Sequence, residues 1–197
     1  MTPERRLDRI LEKGYLLAFE QFGSNHPCAC FSESTPAHLA YLIGTGRFSP
    51  WGLVFDRAAV LRAGGGAVAY VPTAVQKEFK SKGLGHWAVR TDSGSTWMHE
   101  REWRLPVEHP SNIGFRLRSA RAILIGRPDW RPTSVKIDSW IDRSTGEPLP
   151  DPGDNPYAEQ LTDLPALWKK SEIWVWDKAR ENVEKYPPGT LCEVVKT

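Results

Sequence analysis

Apolar residues first recur at helical spacing in Leu7, Ile10 and Leu11, with Thr2 placed to cap, Pro3 to open and Gly14 to stop the turn, which predicts a helix over 3–13. An apolar segment follows at 15–19. After a loop holding Gly23 and Asn25, residues 28–32 form a short apolar run bounded by turn residues, read as a buried strand. Ser34 or Thr35 caps a second helix begun by Pro36, with Leu39, Leu42 and Ile43 as its inner stripe and Gly44 as its end. Residues 51–55 predict a strand and Asp56 the cap of a short helix to Ala63, closed by Gly64 to Gly66. Residues 67–71 predict a further strand, and Thr73 the cap of a helix carrying Val75 and Phe79, with Lys77, Lys80 and Lys82 on its wet face.

The second half begins with a Gly- and Ser-rich loop, 83–95, that contains His86 and Trp87. Alternation over 97–105 then predicts a strand with His99, Arg101, Trp103 and Leu105 on one face and Met98, Glu100, Glu102 and Arg104 on the other. Strands are expected at 115–117 and 121–125, and another around Val135, Ile137 and Ile141. The glycines and prolines of 142–156 predict a long loop or linker. Beyond it the pattern predicts a helix over 157–170 broken at Pro165, a Trp-rich strand at 173–176, and a helix capped by Asp177 and reaching Tyr186. A Pro-Pro-Gly turn and an edge strand at 191–195 complete the chain. These elements describe an α+β domain with a mixed, mostly antiparallel sheet and short helices. Its core is expected over 1–141, joined through 142–156 to a Trp-rich extension, 157–197, packed on that core. Trp168, Trp174 and Trp176 are expected inside.

Candidate chemistry is densest at 97–105. On one strand face Glu100 and Glu102 would lie roughly 6.5–7 Å apart, with Arg104 as the nearest cation. Alternating charges on a strand are ordinarily a solvated face of weak ion pairs; flanking by Trp97 and Trp103 and the stop at Pro106 argue for partial burial instead. His99 falls on the opposite face, which leaves His86 in the loop as the spare acid or base. The triple glycine closes a helix rather than opening one and is followed by no Gly-Lys-Ser/Thr, so it is not a phosphate loop.

Composition narrows the choice little. The 197 residues are 40% hydrophobic and 25% charged with a net charge of +2, which fits a globular chain and permits a nucleic-acid partner without requiring one. No apolar run is long enough for a membrane span and no signal peptide is visible, so a cytoplasmic protein with no membrane partner is expected. Three cysteines suit a reducing compartment. Cys28 and Cys30 read as buried thiols, and no metal is expected.

Three separated pieces carry a resemblance. Cys-Ala-Cys-Phe-Ser-Glu-Ser-Thr-Pro at 28–36, Trp-Gly-Leu-Val-Phe-Asp-Arg at 51–57 followed by Ala-Val-Ala-Tyr-Val at 67–71, and Glu-Arg-Glu-Trp-Arg at 100–104 resemble the AbiGi abortive-infection family across roughly residues 7–105. The resemblance implies bacterial phage defence, with the chain acting as a toxin-antitoxin component. The same order of elements resembles ADP-ribosyltransferases, which implies an ADP-ribosyltransferase-like fold and NAD as substrate. On that pattern Glu102 would hold the ribose 2'-hydroxyl and Glu100 would orient the acceptor, nucleic acid or protein. Ser32, Ser34, Tyr70, Trp103 and Arg104 would line the NAD site, and Tyr70, Trp97 or Trp103 would stack the departing ring. In Ser-Glu-Ser-Thr the order departs from the Ser-Thr-Ser of such enzymes, and the NAD-gripping His or Arg of their first strand is either missing or replaced by Arg5, Arg6 or Arg9. The alternative implied is a non-catalytic antitoxin or regulator that binds a cognate toxin or DNA.

Overall fold

In the computed structural model the described residues are all except 21–22, 93, 95–96, 108–113, 118–119 and 193–197, with the side chains of 97 and 114–116 also undescribed. Five α-helices and fifteen strands are present among the described residues. In chain order they are α1 (Pro3–Lys13), β1 (Tyr15–Leu17), β2 (Phe19–Glu20), β3 (Pro27–Ser32), α2 (Pro36–Gly44), β4 (Gly52–Phe55), α3 (Arg57–Arg62), β5 (Gly66–Ala67), β6 (Ala69–Val71), α4 (Thr73–Ser81) and β7 (Ala88–Arg90). They continue with β8 (Glu102–Pro106), β9 (Gly114–Arg116), β10 (Ala120–Ile125), β11 (Val135–Asp142), β12 (Pro148–Leu149), β13 (Ala158–Asp163), α5 (Ala166–Lys170), β14 (Glu172–Asp177) and β15 (Asn182–Tyr186).

The chain is α+β, with pairings that are mostly antiparallel. Two four-stranded sheets organise it, in the orders β15-β14-β10-β4 and β2-β3-β8-β5. The first is buried on both faces. Alternation sends Ile123 and Ile125 of β10, with Ile173 and Val175 of β14, to one side, where Leu7 and Leu11 of α1 and Trp168 of α5 pack on them. Ala122, Leu124, Trp174 and Trp176 point to the other side, under Ile43 of α2. Apolar residues in register on both faces are what a central strand needs, so β10 and β14 read as continuous apolar runs. Because β14 is an inner strand of this sheet, residues 172–177 belong to the body of the fold. Trp168, Trp174 and Trp176 are 1%, 9% and 7% exposed, as the sequence suggests.

The ends of α1 and the start of α2 obey their local signals, whereas Asp56 stands at the cap of α3 without a side-chain capping bond. Thr2 Oγ1 accepts from Arg5 N, Gly14 takes the left-handed conformation at φ 70°, and Thr35 rather than Ser34 caps α2 by accepting from His38 N. Other expectations give way to tertiary pairing. The strand expected at 97–105 is only β8; residues 97–100 form a 3-10 turn and Arg101 sits at φ 47°, a kink that ends the alternation. The run expected at 67–71 breaks at Val68, since Ala67 pairs with Trp103 of β8 while Ala69 pairs in parallel with Ala88 of β7. Thr73 is inside α4, its hydroxyl donating to Asp92, and Pro72 takes the cap position.

In the C-terminal third, the helix expected at 157–170 is β13 followed by α5. Six residues of acceptable helix propensity pair instead with β11, because that pairing satisfies their backbone within a three-stranded sheet, β12-β11-β13. That sheet also takes β12 from the expected linker. The helix expected after Asp177 is a hairpin: Asp177 Oδ1 accepts from the backbone of Ala179 and Arg180, Glu181 adopts φ 47°, and β15 returns along β14. Leu191 and Cys192 are not in a strand, and the rest of the expected 191–195 strand lies outside the described residues. Among the described residues no helix is long and apolar enough to cross a membrane.

Candidate functional site

The site grows from the β3–β8 ladder, in which Ser32 stands opposite Glu102, Phe31 opposite Trp103 and Cys30 opposite Arg104. Alternation puts Ser32, Glu102, Cys30 and Arg104 on one face and Phe31 and Trp103 on the other. On the far side of β8, Gly66 pairs with Arg104. Gly65 presses so close to the Arg104 carbonyl that an added Cβ would lie 3.1 Å from its oxygen and 2.6 Å from Val60 Cγ1. That close approach is the use of the triple glycine: it ends α3 and seats β5 against β8.

On the polar face, Arg104 is 4% exposed and grips the Glu102 carboxylate through both oxygens, Nε to Oε1 at 2.8 Å and Nη2 to Oε2 at 3.4 Å. Its third contact donates to the His86 carbonyl at 3.3 Å. A buried guanidinium needs such partners, and a fork-shaped donor meeting a carboxylate supplies them with fixed geometry. Tyr70 joins from β6, its hydroxyl accepting from Glu102 N at 2.8 Å. Burial, followed by the Glu102 charge and a hydrogen bond to it, pushes the Cys30 thiol up to about 12 although the residue reaches solvent. Burial likewise raises Cys28, against the lowering effect of its Ser24 hydrogen bond.

Glu100 is not a strand residue. It is the last residue of the 3-10 turn, its carbonyl held by the Ser32 hydroxyl at 2.5 Å, and Arg101 O accepts from Glu33 N at 3.1 Å. The shared strand face expected for Glu100 and Glu102 is therefore absent, because the kink at Arg101 separates them. Their charges still interact: burial first, then Glu102, raises the Glu100 carboxyl above its ordinary range, while His99 works the other way. His99 lies on the same turn beside Arg47, whose Nη1 is 2.9 Å from the ring Nε2. Ser34 approaches Ser32 at 3.4 Å and His38 Nδ1 at 3.3 Å.

Of the candidates drawn from the sequence, Ser32, Ser34, Glu100, Glu102, Tyr70 and Arg104 thus gather at the start of β8. Trp103 does not; it turns to the other face and donates its indole N–H to Glu33 Oε2 at 3.1 Å. The Trp97 side chain lies outside the described residues. His86, expected in an open loop, is 7% exposed, stacked edge-on to His26 at 5.0 Å, and its Nδ1 has no hydrogen-bond partner among the described residues. Burial, then His26 and Arg104, lower its pKa, which favours the neutral ring. Of Arg5, Arg6 and Arg9, all exposed on α1, Arg6 lines a cavity of about 230 Å³.

Sequence reasoning missed the larger of two neighbouring concavities. A cleft of about 790 Å³ opens on the Trp103 face, between the two four-stranded sheets. Val54, Leu124 and Trp174 form its floor and Phe31 and Trp103 its wall, while Arg57 and Arg121 line it with side chains 68% and 52% exposed. Half-exposed aromatics on two distant strands were the available signal, but nothing in the local pattern joins 31 and 103 to 174. Glu100 and Glu102 are not among the residues lining this cleft. Among the described residues no group of three or more His, Cys, Asp or Glu is placed to hold a metal ion. Comparison with protein-family models, with curated proteins and with solved structures finds no match to this chain.

Proposed function

We propose that the chain is a bacterial phage-defence protein with an ADP-ribosyltransferase-like fold that handles NAD at the start of β8 and transfers ADP-ribose to a macromolecule. One observation supports this reading above the others: Ser32, Glu100, Glu102 and Tyr70, drawn from three separate segments, meet through the Ser32–Glu100 and Tyr70–Glu102 hydrogen bonds. Cleavage of the nicotinamide–ribose bond develops oxocarbenium charge, which a fixed carboxylate stabilises. Glu102, already anchored by Arg104, would accept the ribose hydroxyl with the oxygen lone pairs that the guanidinium leaves free. Glu100, made more basic by burial and by the Glu102 charge, would in its ionised form take the proton of the acceptor nucleophile as nicotinamide departs.

A second reading, a non-catalytic antitoxin or regulator that binds a cognate toxin or DNA, is favoured by a different observation. The Arg104 fork neutralises Glu102 and buries the pair, with Glu102 14% exposed. The two readings separate on incubation of the purified chain with labelled NAD and cell lysate or nucleic acid. Label transfer that disappears in Glu102→Gln is expected for the transferase. Absence of NAD binding at millimolar concentration leaves the binding protein.

A further inference from the structure

The cleft on the Trp103 face has chemistry of its own, independent of the carboxylates. Its walls bring partly exposed Phe31, Phe48, Phe55 and Trp103 around an apolar floor. A smaller cavity beneath α1 lies next to it, and Phe31, Trp51 and Phe55 line both. Among the described residues five cations line the two cavities, Arg6, Arg47, Arg57, Arg121 and Lys185, against two carboxylates, Glu33 and Asp56. Those carboxylates pair with Arg57 and Arg121 at 3.4 Å through side chains that are at least one-third exposed. Such pairs hold weakly and exchange readily for a phosphate. At the far end the Lys185 ammonium stands 4.5 Å from the centre of the Trp174 ring.

We propose that this cleft is a binding groove for single-stranded nucleic acid, the bases stacking on the aromatic wall and the phosphates meeting the cationic rim. Unpaired bases offer flat faces that can stack on partly exposed rings, and a groove with excess positive charge tracks the backbone. A duplex hides those faces. A free nucleotide engages only one ring and one or two of the five cations. Arg47 at the rim abuts the turn that carries Glu100, so a bound strand would run toward the start of β8.

The test is fluorescence anisotropy with labelled single-stranded DNA and, in a parallel arm, RNA, each of about a dozen nucleotides, in the absence of NAD. Binding that weakens with salt and quenches tryptophan emission is expected, and Arg57→Gln with Arg121→Gln should weaken it by about tenfold at low salt. Either strand type binding in this manner supports the groove. The exposed α4 lysines provide the control: Lys77→Gln with Lys80→Gln should leave affinity unchanged. Should the paired arginine variant fail to fold by circular dichroism, Arg47→Ala, on an exposed loop, replaces it with an expected loss of several-fold. Equal loss from the α4 variant, no binding of either strand at low salt, equal affinity for duplex, or full competition by an equimolar mononucleotide would each overturn the proposal.

Discussion

The two faces of β8 differ in how completely their polar and apolar groups are satisfied. On one face, Arg104, Glu102 and Tyr70 close a buried network in which the guanidinium, the carboxylate and the strand backbone are all partnered. On the other, Trp103 has one hydrogen bond to a half-exposed carboxylate, and its ring borders open space. A partnered network fixes geometry, and an open aromatic wall leaves surface for a partner. The strand that carries the buried Arg104–Glu102 pair thus also lines the cleft.

The largest effect that would break this contrast is expected from Arg104→Met. Removing the guanidinium leaves Glu102 buried without its counter-charge, which should cost about 3–5 kcal/mol in urea unfolding. The double variant with Glu102→Gln should recover most of that loss. If it recovers nothing, the pair does not act as a unit. On the open face, Trp103→Leu should cost about 1–2 kcal/mol, since part of the ring is already in contact with water. A cost equal to that of Arg104→Met would erase the distinction between the faces. Tyr70→Phe should lose about 1 kcal/mol, because Glu102 N loses its acceptor.

Smaller still is the pH effect of Glu100. Its carboxyl is raised in the fold, so the ionised form is the one that folding disfavours. Its contribution is fully present below the ordinary glutamate pKa and is lost as pH rises through the raised one. Glu100→Gln should therefore match the parent in acid and become slightly more stable than it near neutrality, read from unfolding midpoints between those limits. The smallest signal, but the most local, is Cys30 reactivity. With its thiol held up to about 12, alkylation at mildly alkaline pH should be slow despite exposure, and should accelerate in Glu102→Gln. An unchanged rate would mean that Glu102 does not govern that thiol.

What the sequence reveals here follows the range of the forces involved. Caps such as Thr2 and Thr35, and two-sided apolar runs such as 122–125 and 173–176, are legible because a few neighbouring residues decide them. Residues 158–163 and 177–186 are not, because their pairing partners at β11 and β14 outweigh a helical preference that is weak to begin with. The candidate site was half legible. The residue set around Glu102 is drawn together, yet the kink at Arg101 is flanked by hydrogen bonds that the Ser32 hydroxyl and the Glu33 N–H donate to the carbonyls of residues 100 and 101, nearly seventy positions away, and no local pattern encodes it.

The parallel pairing of β10 with β14 has a consequence for how the chain is made. Some fifty residues, including the whole β12-β11-β13 sheet, separate these neighbours, so β10 cannot complete its ladder on that side until residues 172–177 have been synthesised. Until then the apolar edge of β10 is uncovered, and a nascent or truncated chain lacking residues 172–177 should depend on chaperones and be prone to aggregate.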